Sequence, residues 1–182
     1  MATLIRKLPF YDKHMPLRVG GQEFVILPRQ IIVWVSIDSR DTASPGSDTP
    51  RFPAILDNGY NEDFLIRQEQ LLRWTHLPLH RLRAVDTQEV HGQKVPVFPA
   101  NLWLHCNQPG ERDEFSGRPP FRLPLDEGVA VCPKGMTSAP RLPLLGMRAL
   151  RRSRLQLHVD FDACQVSIRT TTWFSRLARM FA

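Results

Sequence analysis

The octapeptide PAILDNGY, residues 53–60, carries an apolar run into one acidic residue and a glycine-containing turn. Asn58 and Gly59 both tolerate a positive φ, so on local grounds the stretch is a surface hairpin turn. The alternative is that a buried strand ends at Asp57 and holds its carboxyl group ready for acid–base chemistry. Nothing within the octapeptide separates these two interpretations, so the rest of the chain has to decide between them.

The composition predicts one mainly β domain. The chain has 182 residues, of which 42% are apolar and 23% charged, enough for a core and too polar for a membrane bundle. Its 16 prolines recur at the ends of apolar runs, which favours short strands, because proline cannot donate a hydrogen bond inside a sheet. No apolar run approaches the roughly 20 residues of a membrane span, and the first residues lack the apolar centre of a signal peptide. We therefore expect a cytoplasmic protein without a transmembrane segment.

Metal sites and several kinds of catalytic site are not indicated by the sequence. The three cysteines are widely spaced, which argues against a disulfide framework and a zinc site and predicts buried free thiols. His76 and His80 are four residues apart, but Pro78 between them speaks against a helical two-histidine metal site. Neither a glycine-rich phosphate loop nor a Gly-x-Ser-x-Gly elbow is present. We expect no metal and no cofactor.

Apolar patterning predicts strands over most of the chain. Residues 30–37 are rich in β-branched and aromatic residues, which is typical of strands, and residues 51–56 are expected to form the next strand, which ends on Asp57. Residues 83–105 alternate on both sides of a glycine turn and predict a hairpin, and residues 155–169 predict a second one. Residues 76–82 also alternate, which predicts a further return to the sheet.

Helical spacing is indicated in three places. Asn61–Trp74 combines a possible N-cap at Asn61 with acidic residues in the first turn. Helix formers follow Gly146, and the tail over residues 171–182 places its apolar residues on one helical face.

The expected organisation has three parts. Residues 1–27 form an N-terminal arm or an extra hairpin. Residues 28–170 form the main domain. Residues 171–182 form a C-terminal amphipathic helix, which we expect to pack on its own domain because it is short for an isolated interfacial helix.

The order of these motifs carries more information than any one of them. A strand ends in Asp57-Asn58-Gly59, a hairpin over residues 85–104 has a glycine at its tip, and Leu144-Leu145-Gly146 precedes a short helix. This order resembles the retropepsin-like aspartic proteases, the single-lobe type found in retroviruses and bacteria. The resemblance spans roughly residues 28–169. Asn58 stands where that family has Thr or Ser.

The resemblance implies a single-lobe, closed β-barrel with a flap hairpin and one or two short helices. A chain that supplies one catalytic aspartate requires a homodimer, in which two carboxyl groups share a proton. One of the two activates a water, and the other polarises the scissile carbonyl. The substrate would be an extended peptide or protein segment. The site residues implied are catalytic Asp57, with Asn58 and Gly59 shaping its loop, the flap residues Val90, His91, Gly92 and Gln93, and the structural element Leu144, Leu145 and Gly146.

Two other functions stay open on the sequence. The chain can be a catalytically weak or inactive domain of the same fold that dimerises or binds peptides. It can also be a basic scaffold that docks on an anionic partner through the arginines between residues 148 and 154 and through the C-terminal helix, since the net charge is +6. Basic residues that are dispersed over the chain indicate only non-specific attraction to nucleic acids, so we expect no specific nucleic-acid binding.

Overall fold

The computed structural model describes residues 2–39, 42–125 and 127–171 as a mainly β protein with two short helices, which confirms the expected class. The C-terminal helix expected over residues 171–182 lies outside the described residues, apart from Thr171. The helices are α1 (Gln68–Trp74) and α2 (Met147–Arg152). The strands are β1 (Thr3–Pro9), β2 (Met15–Val19), β3 (Gln22–Ile26), β4 (Ile31–Asp38), β5 (Phe52–Asp57), β6 (Phe64–Arg67), β7 (Asp86–Val90), β8 (Gln93–Phe98), β9 (Asn101–Leu104), β10 (Phe121–Leu123), β11 (Val129–Cys132), β12 (Leu144–Gly146), β13 (Leu155–Asp160) and β14 (Gln165–Thr170).

A nine-stranded sheet forms the body of the protein. Its strand order is β10-β9-β4-β5-β12-β6-β11-β8-β7. Within the described residues β10 and β7 each have one neighbour, so the sheet has two open edges. The closed barrel that we expected is therefore not found.

The centre of this sheet is built from segments that are far apart in sequence. β12 lies between β5 and β6 and pairs in parallel with β5, where Gly146 is in register with Asp57. On its other side β12 pairs antiparallel with β6. Because a third strand separates β5 from β6, the Asn58-Gly59 turn does not close a hairpin, and neither residue has a positive φ. The hairpin-turn interpretation of the octapeptide is therefore wrong.

Besides the large sheet, the described residues form a three-stranded and a two-stranded sheet. β1 pairs with β14, which pairs with β13, so both ends of the described chain meet in one three-stranded sheet. β2 and β3 form a separate hairpin whose turn residues, Gly20 and Gly21, both have positive φ, as in a tight two-residue turn. Residues 1–27 thus hold one strand of a sheet and one hairpin.

Two clusters of buried apolar side chains are found among the described residues. The larger one joins residues from β1, β4, β5, β9, β12 and α2, including Ile5, Val33 and Leu145. The smaller one lies under the β7–β8 hairpin and includes Leu65, Val95 and Ala130, with Tyr60 packed against it.

Three local predictions differ from the structure. The helix expected over residues 61–74 begins only at Gln68, because residues 64–66 are buried in β6 between β11 and β12. The strand expected over residues 76–82 is a single 3₁₀ turn at Leu79–Arg81. The hairpin expected over residues 83–105 ends at Phe98, and β9 instead pairs with β4 and β10.

Candidate functional site

Asp57 is the last residue of β5 and is half-buried. Its Oδ1 atom accepts a hydrogen bond of 2.9 Å from the backbone N–H of Gly59. Asp and Asn side chains commonly accept a hydrogen bond from the backbone two residues ahead, and the bond holds the chain in a turn. The carboxyl group is thus oriented by its own loop, and its other oxygen is left for other partners.

Gly146 permits the chain to cross closely behind this loop. A Cβ atom at this position would collide with the carbonyl oxygen of Glu62, and it would lie 2.7 Å from the carbonyl oxygen of Tyr60. The Gly146 N–H donates a 3.0 Å hydrogen bond to the carbonyl oxygen of Asp63. Glycine is required here by the space available, because its φ is not positive.

Ion pairs attach the segment that follows the Asp57 loop, which contains Glu62 and Asp63, to α2. Arg148 contacts the carboxylate of Glu62 and, at 2.5 Å, that of Glu127. Arg152 lies 3.0 Å from the carboxylate of Asp63, which is only 3% exposed. A carboxylate this deeply buried needs an opposite charge, because removing it from water is otherwise costly. The segment that follows Asp57 is therefore held against α2 by charge as well as by packing.

Tyr60 attaches the loop to the β7–β8 hairpin. Its hydroxyl oxygen accepts a 2.7 Å hydrogen bond from the side-chain amide of Gln88 in β7. Burial raises the pKa of Tyr60 well above its ordinary value, so the phenol is neutral at physiological pH. The Asp57 loop is thus connected both to α2 and to the hairpin.

Asp57 lines an open cleft of about 630 Å³. Residues of β3 and of the chain that follows it to Ile31 also line this cleft, as do Pro140, Arg141, Leu142 and Leu144 from the segment that leads into β12. Apolar side chains, among them Leu27 and Ile31, line much of the cleft. Clefts that combine apolar walls with a few polar groups are the usual form of a ligand site.

The structure brings together some of the residues that the sequence singled out. Asp57, Asn58 and Leu144 line the cleft, and Leu145 and Gly146 pair with Leu56 and Asp57 beside it. Asn58 and Gly59 are exposed.

The tip of the β7–β8 hairpin does not line this cleft. His91 and Gly92 have positive φ and close the β7–β8 hairpin, as expected, and Gln93 is exposed beside them. Val90 is buried in the smaller core. None of these four residues lines the Asp57 cleft as the structure describes it.

Sequence reasoning missed the wall of the cleft. Leu27 and Arg141 carry no motif, and only their position beside Asp57 in space marks them. No sequence pattern marks Gln88 or Glu62 either. Gln88 acts through its contact with Tyr60, and Glu62 through its contact with Arg148.

The arginine cluster is partly used inside the protein. Arg148 and Arg152 form the ion pairs described above, whereas Arg151 and Arg154 are exposed. Cys106 and Cys132 are buried free thiols, and Cys164 is a half-buried one. Across residues 2–39, 42–125 and 127–171 no cluster of side chains suits a metal ion, and no helix has the length and apolar character needed to span a bilayer.

Comparisons with known proteins point to no family. The sequence matches no protein-family model. No curated protein is significantly similar to it. Statements about its function therefore rest on the geometry of the chain itself.

Proposed function

We propose that the protein is an aspartic endopeptidase of the retropepsin-like kind, active as a homodimer. The observation that carries the proposal is the position of Asp57, at the end of a central strand and in the lining of an open cleft. The loop that holds it is braced by Gly146 and by the ion pairs to α2. A rigid, oriented carboxyl group beside a cleft is what general acid–base catalysis needs.

One carboxyl group does not complete this chemistry. A second copy, related by a two-fold axis, brings its own Asp57 against the first, and the two carboxyl groups then share one proton. One carboxylate takes a proton from a water, which attacks the carbonyl carbon of the peptide bond. The protonated partner donates to the carbonyl oxygen, and the tetrahedral intermediate breaks down with a proton delivered to the leaving nitrogen. The pair titrates as a unit.

The order of strands around Asp57 supports this proposal. β12 enters the sheet between β5 and β6 and aligns Gly146 with Asp57, so the two motifs that prompted the resemblance are neighbours in space. The flap of this proposal is the β7–β8 hairpin, which is attached to the same loop through Tyr60 and Gln88 and whose tip lies outside the lining of the cleft. A flap of this kind closes over an extended peptide.

A catalytically inactive, peptide-binding domain is the second candidate. It is favoured by Asn58, which is exposed and replaces the small hydroxyl residue of the family resembled. It is also favoured by the hydrogen bond between Asp57 and Gly59, which a purely structural turn would make as well.

The two candidates differ in one experiment. Purified protein is incubated with a peptide library between pH 4.5 and 6.5, and the new termini are identified by mass spectrometry. Asp57→Asn keeps an acceptor for the Gly59 N–H but cannot act as the base, so we expect at least a hundredfold loss of cleavage. Asp162→Asn, an exposed acid on the β13–β14 turn, serves as the matched control and should cleave normally. Equal cleavage by both variants would remove Asp57 from the mechanism, and no cleavage by the unmodified protein would favour the inactive domain.

The dimer is tested separately. Sedimentation at increasing protein concentration should show a monomer–dimer equilibrium, and cleavage per chain should rise as the dimer forms. A protein that cleaves as a monomer would contradict the shared-proton mechanism.

A further inference from the structure

Glu23, Phe24 and Val25 of β3 line the same cleft as Asp57. In the β2–β3 hairpin Val25 lies opposite Pro16, which has no N–H to donate. Pairs in an antiparallel ladder alternate between bonded and non-bonded, so Val25 and Glu23 belong to non-bonded pairs. Their backbone N–H and C=O groups therefore point away from β2, toward the open edge of β3.

This edge has no neighbour in the part of the chain that the structure describes. The β2–β3 sheet has two strands, and no backbone hydrogen bond joins Glu23 or Val25 to another element. The hairpin is nevertheless fixed, because Leu17, Val19 and Ile26 are buried in the larger core. A fixed strand with an open edge is a template on which another extended chain can pair.

Two acidic and two basic side chains line the cleft, so a carboxylate of a bound peptide is favoured beside a basic side chain that has no ion pair. Glu23 and Arg29 each form an ion pair with a neighbour outside the cleft, at 3.1 and 2.9 Å. Arg141, which also lines the cleft, is exposed, and its guanidinium forms no ion pair or hydrogen bond with the described residues. Apolar side chains, including Leu27 and Ile31, line the same cleft.

We propose that β3 is a docking strand, on which an extended peptide adds as a third strand, passes over Asp57 and places an acidic side chain against Arg141. The choice of a peptide as the ligand rests on the function proposed above. Affinity comes from the backbone groups of Glu23 and Val25, and selectivity comes from Arg141 and the apolar wall. The substrates are accordingly apolar segments that contain an acidic residue.

The selectivity is measured by fluorescence anisotropy on full-length Asp57→Asn protein. This substitution removes cleavage from the experiment, and it takes the same negative charge from the cleft of every protein compared. The probes are a fluorescein-labelled apolar octapeptide with one central Glu and the same peptide with Lys in its place. We expect the Glu peptide to bind about fivefold more tightly, as a partly exposed ion pair allows. Arg141→Glu should reverse this order. Arg83→Glu makes the same charge change at an exposed position that does not line the cleft, and it should keep the order.

The docking strand is tested by amide hydrogen exchange of the same protein. At a peptide concentration ten times the Kd only about one-eleventh of the protein is free, so exchange at Glu23 and Val25 should slow about tenfold. Phe24 belongs to a bonded pair with Leu17 and should change little. Binding without slower exchange at Glu23 and Val25, or no binding at all, would overturn the proposal. Concentration-dependent protection without peptide would also overturn it, because a second copy would then occupy the edge.

These results are independent of catalysis. Binding with the expected protection, together with no cleavage by the unmodified protein, refutes the proposed protease and leaves the docking strand standing. Cleavage that depends on Asp57, without protection of β3, refutes the docking strand and leaves the protease standing.

Discussion

His105 should make the free energy of unfolding of this protein fall as the pH is lowered below neutrality. The residue follows β9, is 8% exposed, and lies with its Nε2 atom 3.0 Å from the hydroxyl oxygen of Ser36, which is fully buried. Burial lowers the pKa of His105 from 6.5 to about 4, and the positive charge of Arg51 contributes in the same direction. The folded protein therefore holds a neutral imidazole at pH values where the unfolded chain is protonated.

The sign and size of the effect follow from linkage. The pKa is lower in the folded state, so the contribution of His105 to stability is complete above pH 6.5 and is lost as the pH falls toward 4. Below pH 4 this residue causes no further loss. Each unit of pKa difference corresponds to about 1.4 kcal/mol, so the full loss is about 3 kcal/mol, with about 2.5 kcal/mol of it reached by pH 4.5.

Urea unfolding, followed by tryptophan fluorescence at pH 7.5 and 4.5, measures this loss. His105→Gln keeps a polar side chain near Ser36 but cannot be protonated, so its free energy of unfolding should fall by about 2.5 kcal/mol less than that of the unmodified protein. Carboxylates contribute equally to both proteins and cancel in the comparison. Equal losses in the two proteins, or an NMR titration of His105 near pH 6.5 in the folded state, would refute the reasoning.

Three further substitutions test the region around Asp57, each by urea unfolding. Gly146→Ala should destabilise the protein by about 3 kcal/mol or more, since the added methyl group meets backbone oxygens, whereas Gly117→Ala, with open space around it, should change stability by less than about 1 kcal/mol. Leu145→Ala removes a fully buried side chain and should cost about 2–5 kcal/mol; a smaller loss would mean that the site collapses around the cavity. Tyr60→Phe removes the acceptor of the Gln88 amide and should cost about 1 kcal/mol, and an unchanged stability would show that water replaces this hydrogen bond.

Local signals in the sequence were enough to place several elements. Residues 30–37 are rich in β-branched and aromatic side chains and form most of β4, and the apolar run within residues 51–56 forms most of β5. His91-Gly92 closes a hairpin, because both residues take the positive φ that a tight turn needs. Helix formers after Gly146 form α2.

Other elements could not be placed from local pattern. Residues 64–66 precede a genuine helix and share its apolar character, yet they form β6, because strands on both sides supply their hydrogen bonds. Residues 101–104 continue the alternation of β8, yet they pair with β4. In both cases the partner strand is distant in sequence. Alternation of apolar and polar residues predicts a strand, but it does not identify the strand with which it pairs.

The amino-acid sequence alone determined that the chain is mainly β, that a strand ends at Asp57, and that a glycine follows two leucines before a helix. These features depend on neighbours along the chain, where side-chain size and backbone freedom act directly. The pairing of Gly146 with Asp57, the cleft between β3 and residues 140–144, and the open edge of β3 depend on contacts between segments far apart in sequence. Such contacts form only when burial of the common core brings those segments together, and for that reason the surroundings of Asp57 became visible only in the folded chain.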